Sequence, residues 1–264
     1  MNNGYVIVAE NTPKTNYLAC AEALAYSMKR VMPSCSITLL SNDETSCKYF
    51  DQIIPLKPIP STDQYKITND VQAYWLSPYE YTIKLEADMF IPRSIEHWWD
   101  VLKERDMVVS TTIRDFKGNI SDCRVYRRFI DDNGLPDVYN AVTYFKKSDT
   151  AKQFFQIVQD VAENWKQYKS ILKCNPSEEV STDWAYAVAS HLVGVENTTL
   201  PGFEEMSMVH MKKFINGLPS EDWTNTLIYE ILPHAFRVNT YVQSYPFHYH
   251  TKTFYDRIRE RMYA

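Results

Sequence analysis

The strand–helix–strand pattern at the start of the chain restricts its fold more than any other feature. Residues 5–9, Tyr-Val-Ile-Val-Ala, are a continuous apolar run of the kind buried on both faces in a parallel sheet. Glu10-Asn11-Thr12-Pro13 interrupts it. The following segment sets Tyr17, Ala21, Leu24, Met28 and Val31 on one helical face, at alternating spacings of four and three. Met32-Pro33-Ser34 stops that helix, and Ser36–Ser41 reads as a second strand. Such a unit favours parallel strands joined by a right-handed crossover. The expected class is therefore α/β, with a mainly parallel central sheet and helices on both faces.

The rest of the chain continues in that style. Gln52–Ile54 reads as a third strand, followed by a loop marked by Pro55, Pro58 and Pro60. Thr68 is placed to cap a helix that runs to Ser77 and is stopped by Pro78. Tyr81–Leu85 reads as strand, Trp98–Glu104 as helix and Met107–Thr111 as strand. Residues 112–137 are polar, basic and irregular, a length that is commonly functional. Tyr139–Phe145 reads as strand. Asp149–Lys169 is expected to be one amphipathic helix with Phe154, Phe155, Val158, Val161 and Trp165 inward. Ser181–Leu192 is another, with Asp183 in its first turn. Repeats and linkers are absent, so residues 1–215 are expected to form one domain, with 216–264 as a small C-terminal extension packed on it.

Composition narrows the function classes. At 264 residues the chain can bury a full α/β core. It has no apolar stretch of membrane-spanning length and no basic region ahead of Tyr5–Ala9. A cytoplasmic location without a membrane partner or an obligate protein partner is the expectation. Cys20, Cys35, Cys47, Cys123 and Cys174 are odd in number and scattered, which fits free thiols rather than a zinc cluster. A net charge of −5 argues against a generic polyanion binder. Only 6 glycines, in no phosphate-binding motif, argue against Rossmann and P-loop cradles.

Chemistry enters at Glu86-Ala87-Asp88. Alternation along a strand puts Glu86 and Asp88 on one face. Two carboxylates at the mouth of a buried strand repel unless a cation sits between them, and a divalent ion holding a diphosphate is a natural occupant. The bland alternative is a strand ending in solvent. Lys84 speaks against it, because a lysine on the same face of an otherwise apolar strand needs a partner. Other strand ends, where open α/β sheets bind ligands, offer Glu10, Asn11, Asn42 and Asp43 for a base or ribose, or simply for turns. Imidazoles come late in the chain: His97 and His191 read as structural, while His210 precedes Lys212-Lys213 and His248 and His250 precede Lys252. A strand over the latter would put both histidines on one face with Lys252.

The segment Tyr-Thr-Ile-Lys-Leu-Glu-Ala-Asp-Met-Phe-Ile-Pro, residues 81–92, resembles the D-x-D region of glycosyltransferases of the A-type fold (GT-A), in particular the family 8 group. Tyr5–Ala9, the helix after it and Ile37–Ser41 are similar to that family's nucleotide-binding start. Residues 140–145, Asn-Ala-Val-Thr-Tyr-Phe, resemble its N-x-G segment, Thr182-Asp183-Trp184 its later acidic helix start, and Leu200-Pro201 with His210 the stretch carrying its third metal ligand. The resemblance covers about the first 215 residues. Departures are Glu86 where the family has Asp, Ala141 near its glycine, and no H-x-x-G-x-x-K-P-W ending. The opening and the segment 246–252 also resemble glycosyltransferases of tailed phages, some of which modify hydroxymethylcytosine in DNA.

The resemblance implies a transferase that moves a sugar from a UDP-sugar to an acceptor hydroxyl with Mn2+ or Mg2+. Candidate metal ligands are Asp88, Glu86, His210 and His250, the two histidines competing for one place. Nucleotide-sugar contacts are expected from Ala9, Glu10, Asn11, Asn42, Lys66, Glu86, Ala87, Asn140, Lys212 and Lys252. Asp183 and Lys84 are the candidate catalytic groups, with Asp115 behind them. Arg114, Arg124, Arg127 and Arg128, with Lys117, would touch the phosphates of a duplex acceptor, or form a solvated loop. Three other readings stay open: a nucleotide-sugar binder without turnover, a transferase acting on a glycan or protein, and a metal-dependent phosphotransferase or nuclease.

Overall fold

In a computed structural model the described residues are 2–58, 65–125, 127–173, 179–200, 202, 206–233 and 235–262, without the side chains of 65–68. The chain begins with β1 (Asn3–Val8), α1 (Tyr17–Val31), β2 (Ile37–Leu40) and β3 (Gln52–Ile54). Then come α2 (Tyr65–Leu76), β4 (Tyr81–Glu86), β5 (Met89–Phe90), α3 (Trp99–Leu102), β6 (Met107–Ser110) and β7 (Ile113–Arg114). The middle holds α4 (Arg128–Asn133), β8 (Tyr139–Lys146), α5 (Asp149–Glu163), α6 (Trp165–Ile171), α7 (Thr182–Val193) and α8 (Val195–Thr198). The remainder is β9 (Met208–His210), α9 (Lys213–Asn216), β10 (Tyr229–Leu232), β11 (Ala235–Val238), β12 (Tyr241–Val242), β13 (Phe247–His248) and α10 (Phe254–Met262).

The main sheet has the order β3-β2-β1-β4-β8-β6. Its first four strands are mutually parallel, and β8 runs antiparallel between β4 and β6. Alternation explains why the strands are apolar throughout. Tyr5 and Ile7 of β1 pack in one core with Leu24 and Met28 of α1, whereas Val6 packs in another with Leu40 and Ala73. A third core joins Val109 and Phe145 to α2, α5 and α7 through Val71, Phe154, Phe155 and Tyr186. Both faces of the sheet are thus covered, as parallel strands require. Gly4 is needed in β1 because a Cβ there would lie 2.4 Å from the Tyr79 ring.

A second sheet, β5-β13-β9-β7, draws strands from distant parts of the chain. β13 lies antiparallel to β5 and parallel to β9. Residues 216–264 therefore do more than cover the domain: β13 sits in the middle of this sheet, and α10 packs on α1. A boundary at 215 falls inside α9. β10, β11 and β12 form a separate antiparallel meander.

Several local expectations shift. α2 starts at Tyr65, so Thr68 lies within it rather than at its cap. The long helix breaks at Asn164, which caps the end of α5 and leads into α6. Residues 112–137 contain β7 and α4, and β7 pairs with β9. Ser181 caps α7 by accepting from the Trp184 N–H. No helix among the described residues is long and apolar enough to cross a membrane. Cys20, Cys35, Cys47 and Cys123 are free; Cys174 and Pro201 lie outside the described residues.

Candidate functional site

A cavity of about 340 Å³ opens at the C-terminal ends of β1 and β4, the edge where open α/β sheets take ligands. β8 is antiparallel, so its first residues, Tyr139-Asn140, reach the same edge, and the N-terminus of α7 brings Ser181, Thr182 and Asp183. The second sheet closes the other side with His210, His248, His250 and Lys252.

β4 ends at Glu86, and a turn at Ala87-Asp88 passes the chain into β5. The register of the second sheet sets His248 opposite Met89 on one side and His210 on the other. One imidazole is thereby fixed between the acidic turn and its neighbour. His248 Nε2 lies 2.9 Å from Asp88 Oδ2 and 3.4 Å from Glu86 Oε2, and His248 Nδ1 lies 2.9 Å from His210 Nδ1. Beyond β13, the Tyr249 N–H donates to the Asp88 carbonyl at 3.2 Å. His250 then takes a left-handed conformation, φ 58°, which folds its side chain back. Ligand atoms of Asp88, His248 and His250 all lie within 4.8 Å of one another. The Lys252 ammonium donates to Asp88 Oδ2.

Charges in this cluster are set by each other. Burial alone would raise Asp88, but His248 and Lys252 hold it well below the usual carboxylate range. Burial would lower His248, yet Asp88 and Glu86 outweigh it and raise the imidazole above its ordinary value. Burial raises Glu86, opposed by His248 and reinforced by Asp88. His210 is pushed well down by burial, His248 and Lys212, and burial brings His250 down to about 4. The opposite directions of the two shifts favour His248 as the donor in its contacts with His210 and Asp88.

A second set of acids lines the opposite wall. The Glu86 Oε1 atom accepts from the Asn140 side chain at 3.0 Å, and the Asn140 N–H donates to Asp183 Oδ1 at 3.2 Å. Asp183 Oδ2 pairs with Arg127 Nη1 at 2.6 Å. Arg127 is 1% exposed and also bonds Asp137 and the Val138 carbonyl. Asp70 accepts from the Lys84 ammonium and, at 2.5 Å, from the Tyr186 hydroxyl. Lys84 therefore stands behind Asp70 and does not line the cavity, which alters its expected catalytic place.

The loop arginines also differ from expectation. Arg114 is buried, bonded to Ser207 and the Gly118 carbonyl and stacked on Tyr245. Arg124 pairs with Asp131 and Asp137, and Arg127 is enclosed. Arg128 is the most open of these four, near Asp132, and Arg124 is partly exposed. Arg124 and Arg127 answer carboxylates of the chain itself, at 131, 137 and 183. Asp115 holds its own turn by accepting from the Lys117 and Asn119 N–H groups.

At the β1 end, Glu10 lines the cavity and accepts from the Asn69 side chain. Asn11 instead bonds the Leu18 N–H, its own N–H donates to Asp43, and Asn42 is exposed. Ala9, Asn11 and Asn42 are not in the wall: the strand ends there turn on themselves. Glu86, Ala87, Asn140, Lys212 and Lys252 are in it; the Lys66 side chain lies outside the described residues. Of the four expected metal ligands, Asp88 and His250 cluster, and Glu86 and His210 flank them through His248. Tyr17, Asn69 and Asp70 were not among the expected wall residues, and His248 was not among the expected ligands. Its spacing from Lys252 was visible, but its register against His210 was not.

No protein-family model and no curated protein matches the chain. Among solved structures it is similar to the glycosyltransferase GlyE of Streptococcus pneumoniae TIGR4, at 13% identity over 76% of this chain and 45% of that one, TM-score 0.48. It is also similar to the galactosyltransferase LgtC in complex with donor and acceptor sugar analogs, at 12% identity over 74% and 72%, TM-score 0.49. A third is mouse xyloside xylosyltransferase 1, at 10% identity over 73% and 82%, TM-score 0.43. The chain spans less than half the length of the first of these.

Proposed function

We propose that this chain is a glycosyltransferase that moves a sugar from a UDP-sugar to an acceptor hydroxyl, with a divalent metal held by Asp88, His248 and His250. The observation that carries the reading is the convergence of one carboxylate and two imidazoles in a strand-end cavity, beside Lys212 and Lys252. Oxygen with two nitrogens suits Mn2+ better than Mg2+, which prefers oxygen alone. Bound there, the ion would offset the charge of a diphosphate.

The chain's own groups account for the remainder. Lys252 and Lys212 offer cations to the leaving diphosphate, which departs with the electron pair of the broken bond to the sugar carbon. The acceptor oxygen bonds that carbon, and its proton passes to solvent water. Asp183, held by Arg127 and the Asn140 N–H, is suited to orient the acceptor hydroxyl or the sugar. His210 orients His248 through their shared hydrogen bond. Within this reading, 5-hydroxymethylcytosine in duplex DNA is one acceptor to try. Its phosphates would have to be met largely by groups other than Arg114, Arg124 and Arg127.

A thermal-melting panel tests the proposal. UDP with Mn2+ is expected to raise the melting temperature well beyond either alone, since ligand at 100 times its Kd adds about 2.7 kcal/mol. An equal shift by UDP in EDTA would remove the metal from the reading, and no shift by UDP at all would remove the nucleotide. Slow release of UDP from a UDP-sugar separates a transferase from a mere binder.

Metal binding should also depend on pH. His250 is already neutral near neutrality, but His248 must give up a proton its acidic neighbours favour. Apparent Mn2+ affinity should therefore climb as pH rises above about 6.5, with proton release on binding. Calorimetric titrations in buffers of different ionisation enthalpy measure this; a flat affinity with no proton released would contradict it.

A further inference from the structure

The cavity is chemically two-sided. On the second-sheet side stand Lys212, Lys252 and the histidines. On the other, Asp70, Glu86 and Asp183 present carboxylate oxygens. The two outer acids share a support, because Asp183 and Tyr186 lie one turn apart on α7 and Tyr186 donates to Asp70. Asn140 then links Asp183 to Glu86, so the three acids form one continuous wall.

The cations that balance this wall are behind it. Lys84, 1% exposed, approaches Asp70 from the sheet side under the Tyr186 ring. Arg127, also 1% exposed, approaches Asp183 from the loop side. Burying ion pairs is costly, and apolar residues of the same size would often be more stable. What the arrangement achieves is a pair of carboxylates that line the cavity while the cations paired with them stay behind it. The Asn69 and Asn140 side-chain amides are already given to Glu10 and Glu86. An occupant of this pole therefore meets three carboxylates, beside the Ser181 and Thr182 hydroxyls, and is favoured if it can itself donate hydrogen bonds.

We infer that the Asp70–Asp183 wall selects a neutral sugar, read through its hydroxyls, and rejects sugars that carry a carboxylate. This rests on the UDP-sugar reading above and names its donor class. A hydroxyl donates to Asp70 or Asp183 without displacing Lys84 or Arg127. A uronate carboxylate has no proton to donate and is set against like charges, with both buried cations shielded from it.

The test is a calorimetric panel on the full chain with Mn2+: UDP, then UDP-glucose, UDP-galactose and UDP-xylose, then UDP-glucuronate and UDP-galacturonate. The best neutral donor is expected to bind about 10-fold or more tighter than either uronate. Asp70→Asn should narrow that gap while leaving UDP affinity unchanged. If that variant does not fold, the wild-type panel decides alone. A uronate bound as tightly as the best neutral sugar, or neutral sugars bound no differently from uronates, overturns the inference. Loss of UDP binding itself would instead overturn the parent reading, and this inference with it.

Discussion

Asp88→Ala is expected to reduce UDP release from a UDP-sugar by roughly three orders of magnitude, the scale of several kcal/mol of lost charge stabilisation. The effect should be this large because one side chain serves three partners. Asp88 contributes a ligand atom to the cluster with His248 and His250, accepts from Lys252, and keeps His248 oriented. Without it, His248 and Lys252 lose the carboxylate that both approach, and Glu86 is left beside His248. Mn2+ should then give no additional melting shift with UDP. The fold should persist, since the Asp88 carbonyl still accepts from the Tyr249 N–H and β5 remains paired with β13. Undiminished turnover in Asp88→Ala, measured with a cooperative melt, would refute the metal site.

Arg127→Met should lower stability by about 3 kcal/mol, the lower end of the cost of breaking a buried ion pair. The lower end applies because Asp137 and Asp183 keep about a quarter of their side-chain exposure and can be partly rehydrated. For a chain of this size that corresponds to a fall of roughly 6–12 °C in melting temperature. The effect goes beyond stability, because Arg127 ties the loop before β8 to the first turn of α7 through Asp137, Val138 and Asp183. With that tie gone, sugar release should slow while UDP affinity stays close to that of the parent. Arg127→Lys should recover part of the melting temperature and less of the rate, since a single ammonium cannot reproduce the guanidinium fork. A Met variant that melts with the parent would show that the pair contributes nothing net.

Much of the fold was legible because local periodicity and burial agree. Tyr5–Ala9, the α1 face and Ile37–Ser41 each carry one repeat length, and each became the expected element within a residue or two. Boundaries governed by single residues were harder: Asn164 breaks a helix whose apolar face continues past it, and α2 begins ahead of its apparent cap. The acidic turn stood out in the sequence because two carboxylates and Lys84 expected on one strand face cannot be left unexplained. The partner of Lys84 was not, since Asp70 meets it across the gap between α2 and β4.

Residue order by itself determined the parallel α/β core, the position of Glu86-Ala87-Asp88 at a strand mouth, and the supply of late imidazoles and lysines. Those follow from side-chain period and from the cost of burying charge. Tertiary structure alone decided which imidazole meets Asp88, because that depends on β13 pairing between β5 and β9, two strands far apart in the chain. It also turned Arg114 and Arg127 inward. A buried guanidinium needs acceptors close by, and no spacing along the sequence reveals that Asp183 lies beside Arg127.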